Sequence, residues 1–287
     1  MIFRLSDMQR VAHEGRYAIP HFLGCTLEMT LGAIRAAEEL NAPIAFGVAP
    51  EVFASVPLAY VFPMLLNAAR QTSVPVAVQL EHGNGYAQAA KAISLGVDSV
   101  MYDGSALDYE QNVHNSAAIA EMAHAFGACV EAELGHVGGS AVRTVTEGLV
   151  SHSTDPALVR DFIDRTQVDT LAISFGNVHG NYRGQAQIDT ELVRRIDALA
   201  GIPLVMHGGS GLPDEAYPPI VAAGISNIHF YTGICKYAWG AVAEQVADLS
   251  DPPYHEVTAH LIDFFTERTA HVIRLLGAAD RAGDFRM

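Results

Sequence analysis

The feature that most constrains this 287-residue chain is a regular alternation of short apolar runs with segments of helical pattern. Eight runs of strand length are predicted, at Ala18–Phe22, Pro43–Val48, Pro75–Leu80, Ser99–Tyr102, Cys129–Glu133, Thr170–Ser174, Pro203–His207 and Asn227–Tyr231. Helical segments follow them, at Leu27–Leu40, Tyr60–Gln71, Tyr86–Leu95, Tyr109–Phe126, Pro156–Arg165, Thr190–Ala200, Asp214–Ala223 and Gly233–Ala247. Strict β/α alternation repeated eight times is typical of a (β/α)8 TIM barrel.

The competing fold is a doubly wound open sheet, which should carry a glycine-rich fingerprint after its first strand. The residues at that point are Phe22-Leu23-Gly24-Cys25-Thr26, which lack the GxGxxG spacing. No shift in composition suggests a linker, so we expect one TIM-barrel domain over residues 1–287. Residues 252–287 predict one further helix, ending near Leu276, and a tail.

Composition limits the function before any motif is considered. Half of the residues are hydrophobic and 17% are charged, so the chain can bury a large core. The net charge of −15 argues against a nucleic-acid partner, which would require a basic surface. Three cysteines without CxxC spacing, no secretory signal and no apolar run of membrane-spanning length together predict a cytoplasmic protein that is not bound to membranes.

One strand ends in a histidine and then a glycine-rich turn. Its sequence is Ile202-Pro203-Leu204-Val205-Met206-His207-Gly208-Gly209-Ser210-Gly211. Small residues leave backbone N–H groups uncovered, and Ser210 adds a hydroxyl, so the turn is suited to bind an anion such as phosphate.

Acidic residues and histidines occur at the ends of six predicted strands. They are Glu81, His82, Asp103, Glu131, Glu133, His179, His207 and His229. In a TIM barrel the carboxyl ends of the strands form the active site, so these side chains should share one cavity. Buried carboxylates are costly unless they are paired or bind a metal ion. Three imidazoles with one open position are typical of a catalytic zinc site.

The connection after the fifth predicted strand, residues 134–155, is unusually long and rich in glycine. Long loops at the carboxyl ends of barrel strands commonly cover the active site, so we expect a mobile active-site loop here.

Five motifs occur in the order of one known family. They are Val76-Ala77-Val78-Gln79-Leu80-Glu81-His82, Met101-Tyr102-Asp103-Gly104-Ser105, Val130-Glu131-Ala132-Glu133-Leu134-Gly135, Gly176-Asn177-Val178-His179-Gly180 and Leu204-Val205-Met206-His207-Gly208-Gly209-Ser210. The chain thereby resembles the class II, metal-dependent ketose-bisphosphate aldolases, which act on fructose or tagatose bisphosphate. The resemblance extends from Tyr17 to Thr232.

The resemblance implies a zinc-dependent lyase that cleaves a ketose phosphate to dihydroxyacetone phosphate and an aldehyde. It implies metal ligation by His82, His179 and His207, with Asp103 and Glu133 orienting these ligands. Glu81 would be the catalytic carboxylate that moves the proton of the C4 hydroxyl. The phosphate would lie against Gly180, Gly208, Gly209, Ser210 and Thr232. Cobalt or manganese could replace zinc, a monovalent cation could bind, and relatives are commonly homodimers or homotetramers.

The departures from the family pattern lie on one side of the expected site. Glu81 replaces the family's aspartate, which adds one methylene, and His229 replaces an asparagine. No acidic pair follows Gly138-Gly139, so Glu147, His136, His152 or water would take over its role. The residues expected to form the distal substrate pocket are His229, Tyr231, Arg143 and Arg183. We therefore expect a ketose phosphate with a non-standard distal group, rather than plain fructose 1,6-bisphosphate.

Three other functions fit the same residues. A metal-dependent barrel hydrolase usually carries an HxH pair on its first strand, but here only His21 is present, before Phe22-Leu23. A sugar-phosphate epimerase or isomerase could use the same zinc site without breaking a C–C bond. A barrel that has lost catalysis could still bind a sugar phosphate.

Overall fold

The chain forms a closed barrel of eight parallel strands. The computed structural model describes residues 1–24, 26–50, 56–139, 151–180, 182, 186–247 and 253–285, with the backbone alone at 236 and 246. The strands are Ile19–Leu23 (β1), Ile44–Val48 (β2), Val76–Gly83 (β3), Ser99–Tyr102 (β4), Cys129–Leu134 (β5), Thr170–Ile173 (β6), Leu204–Met206 (β7) and Ile225–Phe230 (β8). Each strand pairs with the next along the chain, and β8 pairs with β1. The predicted TIM barrel is confirmed.

Helices surround this ring. They are Leu5–Gly15 (α1), Leu27–Glu39 (α2), Leu58–Gln71 (α3), Tyr86–Ser94 (α4), Tyr109–Ala125 (α5), Pro156–Thr166 (α6), Thr190–Ala200 (α7), Tyr217–Ala223 (α8), Thr232–Ala247 (α9) and Tyr254–Leu275 (α10). The side chains of Asp108 and Asp189 accept hydrogen bonds from N–H groups in the first turns of α5 and α7, as helix caps do. The predicted C-terminal helix is confirmed as α10. None of the helices in the described ranges has both the length and the apolar character that a membrane span requires.

Helix α1 was not predicted from the sequence. Leu5, Met8 and Ala12 have the spacing of one helical face, and all three are buried. The Leu5 N–H donates to Ser99 Oγ (3.0 Å), at the beginning of β4. Helix α1 therefore packs at the amino-terminal side of the barrel, opposite the strand ends that carry the site.

Helices α2 and α10 pack closely because Gly32 has no side chain. A Cβ atom at Gly32 would lie 2.7 Å from both Ile262 O and Phe265 Cβ. Arg35 Nε donates to Thr266 Oγ1 (2.9 Å) beside this contact. Helix α10 is thus a fixed part of the outer layer.

Two separate apolar regions stabilise the barrel. The larger one lies between the strands and the surrounding helices, and strands such as β1 and β2 are buried along their whole length. The smaller one consists of Met101, Ala172 and Val205, on β4, β6 and β7, and all three are fully buried. This second cluster fills the barrel interior, as layered side chains do in this fold.

Asp98, just before β4, gives a stability prediction that is independent of the site. Burial raises its pKa from 3.8 to about 6, although a hydrogen bond from Ser99 Oγ opposes this. Because the folded-state pKa is the higher one, its contribution to stability is complete below pH 3.8 and is lost as the pH rises through about 6. Asp98→Asn should therefore stabilise the chain by about 1–2 kcal/mol at pH 7.5, and by much less at pH 4.5.

Urea unfolding of both proteins at the two pH values measures this difference. An advantage of Asp98→Asn that is equal at pH 4.5 and pH 7.5 would contradict the prediction.

Candidate metal centre and active site

An irregularity in β3 places two of the predicted site residues. Glu81 and His82 lie within the strand, and the pairing of β3 with β4 changes register between Leu80 and Gly83. His82 has a φ of 43°, a left-handed conformation that is costly for a residue other than glycine. Bulges of this kind redirect side chains next to active sites. Here the bulge directs Glu81 and His82 into the same end of the barrel.

The three predicted metal ligands converge. His82, His179 and His207 each offer a ring nitrogen, and the three nitrogens lie within 4.8 Å of one another. His82 Nε2 and His207 Nδ1 are 3.1 Å apart. The Nε2 atom of His179 is buried and has no hydrogen-bond partner among the described residues.

The other ring nitrogens of these histidines contact oxygen atoms. His82 Nδ1 lies 3.0 Å from Asp103 Oδ2, and His207 Nε2 lies 2.8 Å from Glu131 Oε1. His179 Nδ1 lies 3.3 Å from the carbonyl oxygen of Val137. Such contacts fix the rings of metal-binding histidines and leave the opposite nitrogens for the ion. The three residues therefore fit a metal ion by their chemistry, including the otherwise unpartnered Nε2 of His179.

Charges in the cluster follow from burial and close contact. Burial acts to lower the pKa of His82, but the hydrogen bond with Asp103 and its charge raise it to about 9. Burial and the neighbouring charge of His82 lower the pKa of His179 to about 3. Burial also lowers the pKa of His207. Without a metal ion, His82 therefore carries a proton on both ring nitrogens. An ion that binds its Nε2 must displace the proton from that nitrogen.

Glu131 and Glu133 both point into the barrel, as their spacing predicts, and both are buried. Burial raises the pKa of Glu131 to about 7, and burial and the charge of Asp103 raise that of Glu133 to about 8. Glu133 Oε1 accepts from the Val137 N–H (2.8 Å). Glu133 thus supports the loop that contacts His179, whereas Glu131 supports His207 directly.

The long connection after β5 begins and ends at the site. His136 and His152 exchange two backbone hydrogen bonds (2.8 and 2.9 Å), which close the base of the loop. The His179 N–H donates to Gly138 O (2.8 Å), so the loop also pairs with the segment that carries this predicted metal ligand. Of the residues expected to act here, Arg143 and Glu147 lie outside the described residues, as does Arg183 after β6.

Glu81 lies in a buried polar cluster with His21, Asn227 and His229. Its carboxylate oxygens are 2.8 Å from His21 Nε2 and 3.3 Å from His229 Nδ1. All four side chains are at most 4% exposed. Burial acts to raise the pKa of Glu81, but the charges of His229 and His21 outweigh it and lower the pKa. His229 also stacks on His207, with ring centroids 4.1 Å apart.

One cavity joins these groups to the glycine turn. It is lined by Leu23, Glu81, His82, His179, Gly180, His207, Gly208, Ser210, His229, Tyr231 and Thr232. Helix α9 begins at Thr232, so its positive N-terminal end faces the cavity, where an anion is favoured. The Gly209 N–H instead donates to His229 O (3.0 Å), and Gly209 is the one predicted phosphate-binding residue outside the cavity lining.

Two supporting residues were not found by sequence analysis. Asn177 Nδ2 donates to His207 O (3.0 Å), and its Oδ1 accepts from the Phe175 N–H (2.8 Å), which ties β6 to the metal-site turn. Tyr182 Oη donates to Gly208 O (3.2 Å). Asn177 lies in a quoted motif, but its role depends on contacts across strands that a motif does not contain.

Comparisons with known proteins agree with this geometry. The family model described as class II fructose-bisphosphate aldolase matches residues 3–281. The chain belongs to this family. YdjI of Escherichia coli (strain K12), named an uncharacterized protein, is 33% identical over 267 residues, which cover 93% of this chain and 94% of YdjI. A fructose-bisphosphate aldolase of Geobacillus stearothermophilus is 36% identical over 236 residues, covering 79% of this chain and 80% of that enzyme.

A solved structure extends the similarity to three dimensions. The crystal structure of the YdjI aldolase from Escherichia coli K12 aligns with a TM-score of 0.88 at 30% identity, covering 98% of this chain and 100% of that one. The class II aldolase relatives of the chain are lyases, and its histidine and carboxylate groups could bind a metal ion.

Proposed function

We propose that this chain is a zinc-dependent class II aldolase that cleaves a ketose phosphate reversibly to dihydroxyacetone phosphate and an aldehyde. The observation that carries the proposal is the convergence of three imidazole nitrogens beside a cavity that also contains Glu81, the glycine turn and the start of α9. Family membership supplies the reaction class.

His82, His179 and His207 would hold the metal ion, which would be zinc, or cobalt or manganese. When bound, such an ion supplies Lewis-acid polarisation of the substrate carbonyl. Asp103, Glu131 and the Val137 carbonyl would keep the three rings oriented.

The remaining groups of the cavity would bind and orient the substrate. The phosphate would lie against Gly180, Gly208, Ser210 and Thr232, next to the N-terminal end of α9. Glu81 would take the proton from the C4 hydroxyl in cleavage and return it in synthesis. The phosphate-binding residues and Glu81 lie at the same rigid end of the barrel, which would hold the substrate in the position that this proton transfer requires.

The distal group of the substrate would differ from that of fructose 1,6-bisphosphate. This proposal rests on the departures at Glu81 and His229. The Glu81 carboxylate contacts His229, and the His229 ring packs on His207, one of the proposed metal ligands. Tyr231, another residue expected in the distal pocket, also lines the cavity.

A retro-aldol screen tests the function. Metal-loaded protein is incubated with a panel of ketose 1-phosphates and 1,6-bisphosphates, with a chelator-treated sample as control, and release of dihydroxyacetone phosphate is followed. We expect chelator-sensitive release, with a preferred substrate other than fructose 1,6-bisphosphate. No release from any member by the metal-loaded protein would refute the aldolase, and conversion to an isomeric ketose phosphate would identify an epimerase.

Ser210→Ala tests the phosphate end of the cavity. Ser210 Oγ accepts from the Tyr231 N–H (2.8 Å), which leaves its own O–H as a donor toward the cavity. Hydrogen bonds to a charged partner contribute about 1.5–3 kcal/mol, so loss of this one should weaken binding of inorganic phosphate by about tenfold or more. Titration calorimetry measures this change, with the buried Ser116→Ala on α5 as the matched control. Equal affinities of Ser210→Ala and Ser116→Ala for inorganic phosphate would show that the phosphate does not bind to Ser210.

We also propose that the chain forms a homodimer or homotetramer. Tyr237 and Trp239 on α9 are 59% and 76% exposed, and such aromatic surface commonly belongs to an interface. Light scattering of the purified chain would measure the assembly, and a monomer at all concentrations would refute it.

A further inference from the structure

We propose that His21 is a positioning residue that holds the carboxylate of Glu81 in place. Asn227 orients His21, and Gly47 leaves the space in which the two side chains meet. The inference rests on the proposed function, because it concerns how the catalytic carboxylate is held. His21 itself is fully buried and does not line the cavity, so it acts through Glu81 rather than on the substrate.

Asn227 fixes the direction of both histidines that contact Glu81. Its Nδ2 donates to Ile19 O (2.9 Å), so its Oδ1 must face the imidazoles. Oδ1 lies 2.7 Å from His229 Nε2 and 3.3 Å from His21 Nδ1, and an amide oxygen can only accept hydrogen bonds. Each of these ring nitrogens therefore carries a proton, and the opposite nitrogens, His21 Nε2 and His229 Nδ1, face the Glu81 carboxylate.

Of the two histidines, His21 lies closer to the Glu81 carboxylate. His21 Nε2 is 2.8 Å from Glu81 Oε1, whereas His229 Nδ1 is 3.3 Å from the other oxygen. Both His21 Nε2 and Glu81 Oε1 are buried and have no hydrogen-bond partner among the described residues, so their contact with each other is what places the carboxylate. His21 thereby fixes one carboxylate oxygen, while the other lies next to His229 at the cavity.

Gly47 provides the space for the longer carboxylate. Strand β2 lies between β1 and β3, so Glu81 reaches across β2 to contact His21. A Cβ atom at Gly47 would lie 1.6 Å from Glu81 Oε1 and 2.6 Å from His21 Nε2. The extra methylene of Glu81 is therefore accommodated over Gly47, toward β1.

A double-mutant cycle on the full chain tests the positioning role. His21→Phe keeps a buried ring without ring nitrogens, and should lower kcat about 10–100-fold with little change in KM. In a Glu81→Gln background the same substitution should change kcat less than about twofold, because the carboxylate that His21 holds is already absent. His21→Gln, which retains an N–H donor, should recover part of the loss. Equal losses of kcat in the two backgrounds would overturn the proposal.

The role of Gly47 has its own compensation test. Gly47→Ala should lower kcat strongly when residue 81 is Glu, since the new methyl group would overlap its carboxylate. Combining Gly47→Ala with Glu81→Asp should recover activity relative to Gly47→Ala alone, because the shorter side chain withdraws from β2. An unchanged position of the Glu81 carboxylate in crystals of Gly47→Ala would contradict the inferred packing.

Crystal structures and metal analysis separate this inference from the proposed function. If the wild-type chain cleaves no ketose phosphate, the proposed function fails, but the position of the Glu81 carboxylate in wild-type and His21→Phe crystals still tests the support. An unchanged carboxylate position would overturn it. Two metal ions per chain, with one lost on His21→Phe, would also overturn it by showing that the cluster binds a second metal.

Discussion

Replacing His179 by alanine is expected to remove the bound metal ion and to lower kcat for ketose phosphate cleavage by about 1,000–10,000-fold. The Nε2 atom of His179 is buried and has no hydrogen-bond partner in the described structure, so replacing His179 leaves only two of the three proposed ligands. Lewis-acid polarisation contributes several kcal/mol to such reactions, and each 1.4 kcal/mol corresponds to a factor of ten. Metal content by mass spectrometry and turnover in the retro-aldol assay measure both effects.

The matched control is His255→Ala, at an exposed position on α10. It should retain the wild-type metal content and rate. Full metal occupancy in His179→Ala, with normal turnover, would show that a different set of residues holds the ion. His82, Asp103 and Glu133 are one such set, because each has a possible ligand atom and these atoms lie within 4.8 Å of one another.

Glu81→Gln is expected to lower kcat by about 100–10,000-fold while the metal content stays unchanged. The substitution keeps the shape of the side chain but removes its ability to accept a proton, and general base catalysis typically contributes this factor. Glu81 is not one of the three predicted ligands, so loss of the ion is not expected. Steady-state kinetics on the preferred ketose phosphate, together with metal analysis, measure the two quantities.

Glu81→Asp sharpens this test because it restores the family's usual residue. We expect it to lower kcat as well, since His21 and Gly47 fit the longer side chain, and a displacement near 1 Å can cost about 100-fold. Glu110→Gln, at an exposed site on α5, is the control. Wild-type turnover by Glu81→Gln would exclude Glu81 as the proton acceptor.

The barrel, and the closeness of the three proposed metal ligands, could be predicted because they depend on local pattern and on the fold that this pattern indicates. Apolar runs alternate with helical segments, and the carboxyl ends of parallel strands must meet at one end of a barrel. His82, His179 and His207 therefore had to lie near one another once the fold was assigned. Glu131 and Glu133 were expected to face inward because residues two apart on a strand share a face.

The partners of these residues could not be predicted, because they depend on distances between strands. His21 and Asn227 are separated by 206 residues and meet only because β1 pairs with β8. The left-handed conformation of His82 results from a bulge that no residue type in β3 indicates. The bonding of the Gly209 N–H to His229 O likewise depends on how two strand ends pack, so the glycine turn alone suggested one more phosphate donor than the structure offers.

The pairing of β1 with β8 has a consequence for how the protein is made. The proposed catalytic carboxylate, Glu81, contacts side chains from the first and last strands, and the proposed metal ligands come from β3 and from the segments after β6 and β7. A chain still emerging from the ribosome contains neither a complete metal site nor a supported Glu81. The proposed ion would therefore bind only when nearly the whole barrel has been synthesised, and its binding energy would then stabilise the closed ring over every partly folded form.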